Sequence, residues 1–183
     1  IMWDKNFNVI ECNNSAQRIF GYTAKEAKTC DLKNLITPPH LISEIKEIID
    51  NLLIEKGKHK NTNENITKSG KIITCDWYNV TLKDIAGNVI GVASLVDDIT
   101  ERIKSKTLLE KSEEKYRDIF EKSIDALLII KNGTFVDCNK STLRIFGYEN
   151  KQELIQNHPS VLSPEMQPDG KTSYLKAEEM MNI

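Results

Sequence analysis

The spacing of apolar and polar side chains changes several times along this chain, and each change marks an element. A strand ending near Asp4 turns through Lys5-Asn6-Phe7-Asn8 into a second strand, Val9–Asn13. Short helical patterns follow at Ser15–Phe20, Thr23–Lys28 and around Leu32–Ile36. Pro38-Pro39 then opens a longer helix, since a proline in the first turn gives up an N–H that has no helical partner anyway. Leu41, Ile42, Ile45, Ile48, Ile49 and Leu52 recur there at helical spacing, and Gly57 is the expected stop. Three strands complete the series. They are a polar, edge-like His59–Thr67, a long Ile72–Leu82 after the turn Lys68-Ser69-Gly70-Lys71, and Val89–Ile99 after Ala86-Gly87-Asn88. The order predicts an α+β fold, a five-stranded antiparallel sheet with short helices and one longer helix on one face.

Strand alternation puts Ile73, Cys75, Trp77 and Asn79 on one side of the long strand, and Val89, Ala93 and Leu95 on one side of the last. If these are the inner sides, they meet Ile45, Ile48, Ile49 and Leu52 of the longer helix, and Trp3 closes one end. The candidate pocket is therefore Trp3, Ile45, Ile49, Cys75, Trp77, Asn79, Ala93 and Leu95. The two tryptophans could equally fill that volume themselves, so an empty packed core is the default.

From Thr100 to Lys122 the pattern is helical and densely charged, with Glu113/Arg117 and Asp118/Lys122 at favourable spacing. Ile99, Ile103, Leu109, Tyr116, Ile119 and Phe120 form a thin apolar stripe without a strict heptad. The stripe suits a surface helix or a dimer seam, with Ile103, Leu109 and Tyr116 as the candidate seam contacts.

Part of the pattern occurs twice. Residues 9–22 share Cys, Asn, Ser, Arg, Ile, Phe, Gly and Tyr at matching places with residues 135–148, and Pro38 and Pro164 keep the same offset. Thr23-x-x-Glu26 and Asn150-x-x-Glu153 add matching capping patterns. We expect one domain at residues 1–100, its first strand clipped, a helical linker at 101–122, and at 123–183 the N-terminal half of a second copy. Such a half would expose a core face and be poorly ordered, swapped or supported by another chain. The first residue is not methionine, which suggests a piece of a longer protein.

The 183 residues carry 25 basic and 27 acidic side chains, an ordinary globular balance that lacks the basic excess of a nucleic-acid binder. No apolar run reaches the ~18 residues of a membrane helix. Cys12, Cys30, Cys75 and Cys138 stand far apart with no metal-site spacing, which suggests buried thiols in a reducing, cytoplasmic setting.

Asn13-x-Ser15 with Ile19-Phe20-Gly21-Tyr22, then Lys68-Ser69-Gly70, Asp84-x-x-Gly87, Ile90-Gly91-Val92 and Asp97-Asp98-Ile99-Thr100-Glu101-Arg102, resembles a PAS (S-box) sensory domain. Asn139, Phe146-Gly147-Tyr148 and Leu162-Ser163-Pro164-Glu165 resemble its first half again. The resemblance implies that Asp98, Thr100 and Arg102 couple the sheet to the exit helix, with Thr100 as helix cap and Arg102 pairing with Asp98. It also implies that such domains hold haem, flavin, a small metabolite or nothing. Leu32 stands where the family's photosensors carry the adduct-forming cysteine. Asn65 matches one flavin-binding asparagine, but Cys75 and Ala93 fall at the other polar flavin contacts. About Ile45 stands where its haem sensors carry the axial histidine. Both residues argue against those cofactors, no metal site is read, and the ligand stays unknown.

The implied function is a sensory and dimerisation module in a prokaryotic signal-transduction protein. It would relay a ligand- or partner-induced change through the linker helix to a C-terminal output domain, most plausibly that of a two-component sensor histidine kinase. A non-sensing dimerisation scaffold, or the sensory segment of a diguanylate cyclase or other transducer, is the alternative. No phosphate-binding glycine loop, nucleophile motif or phospho-accepting histidine helix is evident, so the segment itself is expected to have no catalytic activity. The expected partners are a second copy of the chain, the output domain and a small molecule, with neither nucleic acid nor direct membrane contact.

Overall fold

Strand pairing in the first part of the chain follows the alternation closely enough to close a sheet. In the computed structural model, which describes residues 1–56 and 59–181, the chain divides into two units, residues 1–106 and 107–183. The first contains β1 (Met2–Asp4), β2 (Val9–Glu11), β3 (Lys60–Ile66), β4 (Ile72–Lys83) and β5 (Val89–Asp98), in the spatial order β2-β1-β5-β4-β3. The named strand pairs are all antiparallel. Between β2 and β3 run α1 (Asn14–Phe20), α2 (Ala24–Thr29), α3 (Leu32–Leu35), a 3-10 turn at Pro39–Leu41, and α4 (Ile42–Leu53). The fold is thus α+β, with a five-stranded antiparallel sheet. The expected stop at Gly57 lies outside the described residues.

Local chemistry explains the breaks. Asn13 caps α1 by accepting the Ala16 N–H, and Gly21 ends it in the left-handed region (φ 80°), where a side chain would be strained. Thr23 and Glu26 form a reciprocal capping box at α2. Gly91 serves a different purpose. A Cβ there would lie 2.2 Å from the Trp3 carbonyl oxygen, so its bareness lets β1 lie against β5.

Antiparallel partners share a face, and the β4–β5 register therefore settles which side of β5 points inward. Trp77 pairs with Val96 and Asn79 with Ser94, while Tyr78 pairs with Leu95 and Val80 with Ala93. Val92 and Ser94 are buried, whereas Leu95 is 67 % exposed. Ala93 and Leu95 thus lie on the outer face, contrary to the sequence reading. The core beneath the sheet gathers Trp3, Phe7, Phe20, Leu32, Ile36, Ile73, Cys75, Trp77 and Val92. Phe20 stacks on Trp77 with ring centroids 5.8 Å apart.

The second unit repeats the opening motif. α5 (Thr100–Lys122) leads to a hairpin of β6 (Leu128–Lys131) and β7 (Thr134–Cys138), then α6 (Lys140–Phe146), 3-10 turns at Lys151–Glu153 and Pro159–Leu162, and α7 (Ser173–Met181). Asn132 and Gly133 both take positive φ, as a tight hairpin turn requires. Asn139 and Gly147 cap α6 as Asn13 and Gly21 cap α1. Asn150 caps Glu153 as its pattern predicts, although the turn it opens is 3-10 rather than α. Phe135, Cys138 and Leu154 form a small core. Phe146, the counterpart of the buried Phe20, is 42 % exposed.

Candidate functional site

Helix α4 and the inner side of the sheet flank a cavity, partly open to solvent, with about 60 Å3 of room for the centres of water-sized molecules. Its apolar wall comes from Ile45, Ile48, Ile49 and Leu52, four positions that helical periodicity puts on one stripe. Trp3, Phe7 and Trp77 supply aromatic surface. The polar wall comes from Asn61, Asn63 and Asn65, alternate residues of edge strand β3, with Asn79 and Ser94 beside them.

These polar groups form one continuous chain of hydrogen bonds. The Trp3 indole N–H donates to Ser94 Oγ (3.0 Å), which donates to Asn79 Oδ1 (2.6 Å). Asn79 Nδ2 donates to Asn61 Oδ1 (3.2 Å) and Asn61 Nδ2 to Asn63 Oδ1 (2.6 Å). Asn63 Nδ2 donates to Asn65 Oδ1 (3.3 Å), which also accepts the Trp77 indole N–H (3.0 Å). Asn65 Nδ2 ends the chain on the Ile36 carbonyl (3.0 Å). Both indoles are thereby anchored, and among the described residues no buried side-chain polar atom lacks a partner.

Of the sequence-predicted pocket residues, Trp3, Ile45, Ile49, Trp77 and Asn79 come together here. Cys75 lies in the buried core and does not line the cavity. Burial, reinforced by Asp98, Asp97 and Asp76, pushes its thiol up to about 12, so it remains protonated at neutral pH. Ala93 and Leu95 are replaced by Ser94. Asn61, Asn63 and Ser94 were missed. The three asparagines at period two in a strand, a residue type strands disfavour, are the signal that could have found them.

A haem or flavin does not fit this site. The cavity falls far below the ~300–1,000 Å3 of pockets that hold drug-sized molecules. Among the described residues no histidine, cysteine or methionine lines it, and no cluster of three or more His, Cys, Asp or Glu could hold a metal ion.

The predicted coupling residues meet at the end of the sheet, in a different arrangement from the one expected. Thr100 is the first residue of α5 rather than its cap. Its hydroxyl donates to Asp98 Oδ1 (2.5 Å) and accepts the Thr74 backbone N–H of β4 (2.8 Å). Asp98 also accepts the Thr100 backbone N–H (3.0 Å), covering one free amide of the first helical turn. Arg102 does not pair with Asp98. It reaches Asp76 of β4 at 3.8 Å, while Asp98 Oδ1 accepts from Thr100. Asp76 in turn accepts from Thr62 Oγ1 (2.5 Å) and pairs with Lys60 (3.5 Å), both on β3. The Thr62 bond, with Lys60 and Arg102 nearby, holds the Asp76 carboxyl below the usual carboxylate range. Edge strand β3, its neighbour β4 and helix α5 are thus tied at one carboxylate.

The candidate seam residues Ile103, Leu109 and Tyr116 are exposed, with Tyr116 stacked on Phe120 at 5.9 Å. The other end of α5 is bonded into its own unit. Buried Asn139 donates to the Phe120 carbonyl (2.9 Å), and Lys151 bridges Glu121 (2.9 Å) and Asp137 (2.7 Å).

Comparison with known proteins agrees with this geometry. PAS domain models match residues 1–101 and, separately, residues 114–178. The chain is 31 % identical over 150 residues to Sporulation kinase E of Bacillus subtilis, covering 80 % of this chain and 19 % of that protein. It is 38 % identical over 61 residues to Sporulation kinase A of the same organism, covering 33 % of this chain and 10 % of that protein. It therefore spans a fifth or less of these relatives. Among solved structures, the PAS domain of a Colwellia psychrerythraea protein superposes with a TM-score of 0.51 at 19 % identity, over 55 % of this chain and 85 % of that one. This chain belongs to the PAS domain family and carries two copies of the domain pattern. Among the described residues no helix is long and apolar enough to cross a membrane.

Proposed function

We propose that this chain is the sensing and dimerising segment of a cytoplasmic two-component sensor histidine kinase. A small molecule occupies the cavity under the first sheet, the sheet shifts, and α5 passes the shift to an output domain C-terminal to the segment. The observation that carries this reading is the Thr100 junction, where one hydroxyl bonds both to Thr74 of β4 and to Asp98 at the end of β5. A change in the spacing of those strands cannot leave the first turn of α5 unmoved. The kinship with sporulation kinases supports a kinase output. The segment works by binding, since the cavity is lined by amides, the Thr37 and Ser94 hydroxyls, hydrocarbon and the Lys33 ammonium, with no carboxylate among them to pair as acid and base. Its near-balanced charge suits neither nucleic acid nor an anionic membrane surface.

The test is Asp98→Ala in the full-length parent. We expect an unchanged circular dichroism spectrum and loss of the signal-dependent change in autophosphorylation. A variant whose response matches the wild type overturns the coupling role.

A further inference from the structure

The cavity sets a hydrocarbon wall against an amide wall, and the amide wall carries no charge. An asparagine side chain offers two donors and two acceptor sites. In the hydrogen-bond chain, Asn65 uses both acceptor sites and one donor, and Asn63 uses both donors and one acceptor site. Asn61 and Asn79 each use one of either kind in their side-chain bonds. Donors are therefore left at Asn61, Asn65 and Asn79, and acceptor sites at Asn61, Asn63 and Asn79. Both kinds remain, and none is ionised.

Lys33 is the cation at this cavity, and it is already engaged. It pairs with Asp31 at 3.1 Å and its side chain is 30 % exposed, so its charge is both matched and hydrated. A carboxylate or an ammonium entering the cavity would leave water without a dedicated counter-charge. A neutral group that both donates and accepts loses no ionic hydration and satisfies both kinds of spare site.

The geometry points to a small uncharged ligand with a carboxamide-type edge and a hydrocarbon body, its edge on the asparagines of β3 and its body against α4. This rests on reading the cavity as the sensory pocket. It goes further by naming the ligand's chemistry.

The chain contains two tryptophans, and both line the cavity. Their indole N–H groups belong to the hydrogen-bond chain, so the two indole N–H resonances in an NMR spectrum report on this site. Residues 1–183 would be titrated with two isosteric sets: propionamide, propionate and propionamidine, then benzamide, benzoate and benzamidine. We expect the amide of at least one set to shift both indole resonances saturably, with an affinity at least tenfold above the carboxylate and amidine of the same shape. Asn61→Asp, which converts a donor–acceptor group to a pure acceptor of the same outline, should reverse the order in favour of the amidine. If the wild type binds carboxylate or amidine as well as amide, the ligand class is overturned and the sensory pocket stands. An unchanged order in a folded Asn61→Asp protein overturns the placement on the β3 asparagines. Absence of any indole shift up to the solubility limit of both sets overturns the pocket along with the ligand class.

Discussion

Asn65 shows how much of this site hangs on single side chains. It is almost wholly buried, and it holds the Trp77 indole, the Asn63 amide and the Ile36 carbonyl at once. The Ile36 carbonyl would survive its loss, because it also accepts the Ile66 backbone N–H at 2.9 Å. The Trp77 indole would not, since Asn65 is its partner. Asn65→Ala should therefore cost on the order of 2 kcal/mol, the usual penalty for a buried orphaned donor. Urea unfolding should show the loss as a lower midpoint with an unchanged slope. A midpoint within error of the wild type would mean that Trp77 finds another partner. Residue chemistry also accounts for the quiet cysteines. Burial raises all four thiols, with Cys75 shifted furthest, which keeps them from acting as nucleophiles at neutral pH.

Between elements, carboxylates act as ties. Glu26 of α2 reaches Lys68 in the β3–β4 turn at 2.7 Å while it completes the capping box with Thr23. The Lys68 bond first, then the Thr23 backbone and hydroxyl bonds, lower its carboxyl to about 2. A carboxylate depressed in the folded state contributes stability that is fully present above its unfolded pKa, ~4.3. That contribution is lost as pH falls toward about 2. The Glu26 side-chain carboxyl resonance should therefore titrate near pH 2 in the folded protein and distinctly higher in Lys68→Met, where the Thr23 bonds alone still hold it below the ordinary glutamate value. A wild-type midpoint above 4 would show that the tie does not form in solution. The same scale explains the error on β5. Val89-Ile90-Gly91-Val92-Ala93-Ser94-Leu95-Val96 is apolar on both faces, so alternation alone cannot choose the inner one. Pairing with β4, whose inner face is marked by Trp77 and Asn79, makes that choice.

For the whole molecule, the proposed relay rests on α5. α5 is exposed from Glu101 to Ile119 and bonded into a different unit at each end. Leu108, Leu109, Tyr116 and Ile119 are exposed on it, and on the proposed dimerising reading they form the seam for a second copy. Leu109→Glu with Tyr116→Glu should convert a dimer to a monomer in analytical ultracentrifugation and leave the secondary structure intact. A wild-type chain that sediments as a monomer at all concentrations would remove α5 as the seam.

The local patterns determined most elements of this protein. Periodicity located α4 and the strands, capping residues and glycines marked the breaks, and the repeat revealed two copies of one motif. Those features depend on neighbours within a few residues, so they are written locally. The site depends on contacts between distant residues. Only the tertiary structure turned Ser94 inward and left Leu95 outside, lined three asparagines of an edge strand against α4, and brought Arg102 to Asp76 while Asp98 took Thr100. The physical reason is that a hydrogen bond or an inner face is chosen by competition among partners far apart in the chain, and that competition is resolved only when the sheet closes.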